Sequence, residues 1–169
     1  MLQWADFEPF RDARGVSDTR PIVPVVIDVS GRRMRTVGLI DSGSDVSFIP
    51  YYVAADLKCA PKTFGLSYHT GGRQWQAGDV RARVDLLLSR DIFRIPLSAF
   101  LIPEPEQDLP FMVLGHDPLF ALAEVRFRGW ESRVGFRARP RPWMDGGQRG
   151  LIGPVTANGA PPRQARVKL

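Results

Sequence analysis

Cysteine is almost absent from this sequence: Cys59 stands alone among 169 residues, so neither an internal disulfide framework nor a cysteine-based metal cluster can form. A lone thiol points to no oxidising compartment, and Cys59 is expected to serve as a small buried hydrophobe. Long apolar runs are missing too. No stretch approaches the length of a membrane span, and Met1 to Arg14 mixes Asp6, Glu8, Arg11 and Asp12 with aromatics where a signal segment would carry an apolar core. The expectation is a soluble protein of the cytoplasm, with no membrane partner. His69, His116, Asp45 and Asp117 lack any His-Glu-x-x-His or Cys-x-x-Cys spacing, so no metal and no cofactor are expected. A Gly-x-Ser-x-Gly elbow and a Walker-type glycine loop are likewise absent, which sets aside serine hydrolase and nucleotide chemistry.

What is present is an ordinary globular composition, 44% hydrophobic and 24% charged, enough for one domain with a core of its own. The formal charge of +5 is not spread along the chain. Residues 138–169 carry Arg139, Arg141, Arg149, Arg163, Arg166 and Lys168 against Asp145 alone, and the remainder is neutral. That tail also holds five prolines and five glycines and no apolar periodicity, so it cannot offset the entropy of ordering. It is expected to be a solvated, disordered basic arm. Its cations are scattered and Trp143 is its one aromatic, so nucleic acid is not the expected partner. The expected organisation is an N-terminal extension at 1–18, a domain at 19–137 and the tail at 138–169.

Within the domain the pattern is β throughout. Ile22 to Val29 and Met34 to Ile40 flank Ser30-Gly31 as a hairpin. Further strand-like runs are Val46 to Ile49, Phe64 to His69, Val80 to Leu88, Phe93 to Ile102 and Phe111 to Leu114. Val125 to Arg128 and Arg133 to Phe136 make a last hairpin. Helical readings are confined to Tyr51 to Leu57 and Pro118 to Ala123, the second with Asp117 as its cap. The fold class is all-β, with many short strands closing on themselves.

Two strings carry chemistry. In Val37-Gly38-Leu39-Ile40-Asp41-Ser42-Gly43-Ser44-Asp45 an apolar strand delivers Asp41 to a fixed place, and Gly43 lets the backbone turn its N–H groups toward the carboxylate. The second string, Met112-Val113-Leu114-Gly115-His116-Asp117-Pro118-Leu119-Phe120, places Gly115 74 positions after Asp41. Together, in this order and at this distance, the strings resemble the retropepsin-like, single-lobed aspartic proteases, over a span from about Thr19 to Phe136.

The resemblance implies a closed β-barrel lobe with a short C-terminal helix, assembling as a homodimer. It implies Asp41 as catalytic carboxylate, Ser42 as the hydroxyl tying two active-site loops together across the dimer, and Gly43 and Gly115 as close-approach positions. Ser44 would donate to the carboxylate, favouring mildly acid pH. Asp45 stands where many family members pair with an arginine after the second glycine. Here that residue is His116, which implies a contact that tightens below about pH 6.5. One motif copy supplies one aspartate, so a second chain must furnish the other. The function implied is an endopeptidase acting on protein or peptide substrates. The alternative is a catalytically weak dimerisation or peptide-binding module of the same fold. A flap is also required, and the candidate is Thr70 to Gly78, with Gly71 and Gly72 near the tip. Trp75 either covers substrate or is an ordinary packing residue of a hairpin.

Overall fold

The computed structural model describes residues 2–11, 17–18, 20–70, 73–107 and 109–139. The predicted basic tail, apart from Ala138 and Arg139, lies outside the described residues, as do Gly71 and Gly72. No helix among the described residues is long and apolar enough to cross a membrane.

The chain is mostly β. In chain order the strands are β1 (Gln3–Asp6), β2 (Phe10–Arg11), β3 (Ser17–Asp18), β4 (Ile22–Val29), β5 (Arg32–Ile40), β6 (Leu66–Thr70), β7 (Arg73–Leu87), β8 (Ile92–Pro103), β9 (Met112–Leu114), β10 (Ala123–Arg128) and β11 (Arg133–Ala138). Helix α1 (Tyr51–Asp56) follows Pro50 and buries Val53 and Ala54. The main sheet runs β6-β7-β4-β5-β9, with β8 also paired to β7, and β5 and β9 are parallel.

Alternation dictates which face of this sheet is core. Along β4, Val23, Val25, Ile27 and Val29 point inward while Pro24, Val26 and Asp28 remain partly exposed. The β4–β5 turn uses Ser30 and Gly31 at φ 51° and 85°, the two left-handed positions whose twist matches the flanking strands. Asp28 Oδ1 accepts the Gly31 N–H at 2.9 Å, closing the turn as its sequence suggests. Fully buried Phe100, Phe136, Ile95, Met112 and Leu114 join these residues in one apolar cluster. Each such side chain contributes on the order of 2 kcal/mol by leaving water.

Four expectations change in detail. The ladder path does not close into a barrel: between β9 and β8 lie only single bridges at Phe48, to Val113 and Leu101, among the described residues. Val46 to Ile49 is therefore a linking segment and not a strand. The short C-terminal helix begins earlier than expected, as a helical segment His116–Phe120 interrupted at Asp117, whose φ of −101° and ψ of 121° are extended. A residue before proline is pushed out of the helical region, into the extended backbone where a cap residue sits, but the Asp117 carboxylate accepts no hydrogen bond among the described residues. Finally, β1, from the segment read as an N-terminal extension, pairs with β11 and buries Ala5.

Cys59 is half-buried beneath α1, and that burial pushes its thiol pKa up.

Candidate active site

Asp41 is the first residue beyond β5, and β9 fixes it from the side. Its N–H donates to Leu114 O at 3.0 Å, continuing the parallel β5–β9 ladder for one more step. The chain then folds back over the carboxylate: Gly43 N–H donates to Asp41 Oδ1 at 2.9 Å, and Ser44 N–H to Asp41 O at 3.3 Å. A Cβ on Gly43 would sit 3.3 Å from that oxygen, so glycine gives the turn its clearance. Oδ2 makes no hydrogen bond among the described residues.

The second motif crosses directly behind this loop. A Cβ on Gly115 would lie 2.3 Å from Val46 O and 2.5 Å from Ser44 O, separations that no side chain can occupy. Two further backbone bonds seal the crossing, His116 N–H to Ser44 O at 2.7 Å and Asp117 N–H to Asp45 O at 3.0 Å. Phe48 and Val113 exchange both of theirs, at 2.8 and 3.0 Å.

At the centre of the crossing is Ser47, which sequence reasoning missed. It is 1% exposed, and its hydroxyl donates to Asp117 O at 2.7 Å while accepting the Gly115 N–H at 2.9 Å. A hydroxyl can do both at once, and a buried polar group must be satisfied in this way. The available signal was a serine inside the otherwise apolar run Val46 to Ile49.

Two expectations about neighbouring residues are corrected. The Ser44 hydroxyl donates to Val46 O at 2.7 Å rather than to the Asp41 carboxylate, which removes the basis for an acid optimum drawn from that contact. Asp45 and His116 form no ion pair. Both side chains are exposed, and the imidazole stacks on Phe120 at 5.2 Å between ring centroids. Their loops are already joined through backbone groups, so the side chains are free to face water. Ser42 and Gly43, on the same loop, are exposed.

Above Asp41 is a cavity of about 310 Å³. Asp41, Gly43 and Ser44 form one wall, and Tyr68 and Trp75 from the β6–β7 hairpin form another. These two aromatics are register partners across the hairpin and stack at 6.1 Å with 22° between planes. Tyr68 also meets Phe48 at 4.9 Å. Trp75 thus both lines the cavity and packs within its hairpin. Its buried Nε1–H finds no hydrogen-bond acceptor among the described residues. Burial raises the Tyr68 pKa to about 12, which keeps the phenol neutral. At the far end Arg20 lies over the Phe111 ring at 5.0 Å. Tyr68, Phe48, Arg20 and Phe111 were not singled out from the sequence, because nothing in the local sequence marks a side chain as cavity-facing.

No family model and no curated protein sequence matches the chain. Among solved structures it is similar to a retropepsin-like aspartic protease from Rickettsia conorii, at 12% identity and a TM-score of 0.47, over 80% of this chain and 92% of that one.

Proposed function

We propose that this chain is an aspartic endopeptidase that works as a homodimer, with Asp41 from each protomer forming the catalytic pair. The observation that carries the proposal is the Asp41 loop itself. One carboxylate oxygen is held by a backbone N–H, the other has no partner among the described residues, and the group borders a cavity beneath a β-hairpin. A carboxylate needs this kind of rigid mounting if its role is to move protons in a set direction.

The chemistry follows from placing two such groups together. Like charges a few ångströms apart cannot both ionise, so the pair holds one proton between them. The ionised partner takes a proton from a water as its oxygen attacks the scissile carbonyl carbon, and the neutral partner donates to the carbonyl oxygen. Collapse of the tetrahedral species breaks the C–N bond; the departing nitrogen takes a proton from the pair while one hydroxyl of the tetrahedral species returns a proton to it, so the pair again holds one. The products are a carboxylic acid and an amine. Extended peptides suit a cavity lined by Phe48, Tyr68, Trp75 and Phe111, with the β6–β7 hairpin as the covering element.

The test is incubation of the purified protein with a peptide library from about pH 4 to pH 7, beside Asp41→Asn. The expected result is cleavage by the wild type and a loss of about 10³-fold or more in the variant, with an unchanged unfolding midpoint. Activity surviving the substitution refutes the assignment. Saturable peptide binding by the wild type without cleavage would instead assign a binding module.

A further inference from the structure

Arginines crowd the outward face of the main sheet, well away from Asp41. Arg33 on β5, Arg83 on β7 and Arg94 on β8 surround a depression of about 310 Å³ together with Val26, Asp28 and Asp85. Strand alternation adds Arg35 and Arg81 to the same face. Three aspartates oppose these five arginines, and only part of their charge is available. Asp28 spends Oδ1 on the Gly31 N–H. Asp85 is sunk to 12% exposure, holding Arg94 Nε at 2.8 Å and an Arg33 nitrogen at 3.4 Å. Asp79 lies at the far margin, beyond Arg81.

The consequence is a surface dominated by guanidinium groups, two of them already ordered by a buried carboxylate. Arg33 and Arg94 remain 59% and 66% exposed, so each keeps N–H donors facing outward. Arg35, Arg81 and Arg83 make no ion pair among the described residues. Ordering before binding lowers the entropy that an incoming anion must overcome, and guanidinium favours planar oxyanions. A second copy of this chain would bring the same positive face and be repelled. A nucleic acid strand would carry phosphates at regular spacing across Asp28 and Asp85, whereas separated carboxylates can avoid them. Leu39, which lines the Asp41 cavity, lies on β5 only six residues from Arg33, roughly 20 Å along an extended strand.

We propose that this arginine face is an anchoring site for an acidic segment of the peptide substrate, remote from the bond that is cut. It rests on the proteolytic reading for its purpose but not for its binding.

Two measurements separate these parts. In the first, a fluorescein-labelled glutamate-rich peptide and its glutamine counterpart are titrated with the Asp41→Asn protein and followed by anisotropy. The glutamate peptide is expected to bind about tenfold more tightly at low salt. Adding Arg35→Gln and Arg83→Gln together, which leaves the Asp85 pairs intact, should bring the two peptides within about twofold. Equal binding at the outset, or no effect of the double substitution, overturns the site. Tighter binding of duplex DNA with the same arginine dependence overturns its assignment to peptide. In the second, a peptide cleaved by the wild type is extended by the same glutamate or glutamine run, roughly six residues from the scissile bond. The glutamate run should lower KM about fivefold with kcat unchanged, and the double substitution should abolish that difference. An unchanged KM refutes substrate anchoring. If no peptide is cleaved at all, the proteolytic reading fails and the anisotropy result still decides the site.

Discussion

The floor and the roof of the Asp41 cavity are held by different kinds of force. On the floor, the Asp41 loop and residues 113–117 are joined by backbone hydrogen bonds and by Ser47, and Gly115 leaves no spare volume. On the roof, the β6–β7 hairpin meets the cavity through ring contacts, Trp75 stacked on Tyr68 and Tyr68 tilted against Phe48, with an indole N–H that has no acceptor among the described residues. Hydrogen bonds are directional and fix position, whereas ring contacts tolerate sliding at little cost. Under the proposed function, proton chemistry falls to the floor and adaptable substrate contact to the roof.

Substitutions should separate the two regions by size of effect. Gly115→Ala would drive a methyl group into the Val46 and Ser44 carbonyls, and a loss of roughly 3 kcal/mol or more in denaturant unfolding is expected. Ser47→Ala strips the buried Gly115 N–H of its acceptor and should cost about 1–3 kcal/mol. An unfolding free energy unchanged by Ser47→Ala would mean that the floor is not held as described. On the roof, Trp75→Phe should move stability by less than about 1 kcal/mol, since lost ring area is offset by removal of an unsatisfied donor. Its effect should appear as a rise in KM for peptide with kcat nearly preserved.

The smallest effect concerns alkaline pH. Tyr68 ionises near 12 in the folded chain but near 10 when unfolded. The unfolded state therefore releases its proton first as pH rises. Stability is full below about pH 10 and declines up to the folded pKa. Tyr68→Phe should shallow that decline, measured as unfolding midpoints at successive pH values; an identical slope would place the phenol in water.

Features governed by short-range backbone chemistry were legible in the sequence. The Ser30-Gly31 turn and the delivery of Asp41 by an apolar strand follow from the local residue pattern, whereas the close approach at Gly115 was implied by the family resemblance alone. Features that depend on a partner far along the chain were not. Ser44 is a local exception: its acceptor, Val46 O, is two residues away, and the choice between it and the Asp41 carboxylate is not written in the sequence. Ser47 acts on groups 68 and 70 residues away. His116 was read as a charge partner because its place in the motif suggested one, yet its backbone rather than its ring joins the loops. The pairing of β1 with β11 has no local signature, because an edge strand so short can dock on any compatible sheet.

The central claim is that each chain holds half of a catalytic site. Measuring specific peptidase activity and solution mass over the same range of protein concentrations tests it directly. Activity per chain should rise together with the conversion from single to double chain mass. Full activity in a preparation that remains a strict monomer at every concentration would contradict it.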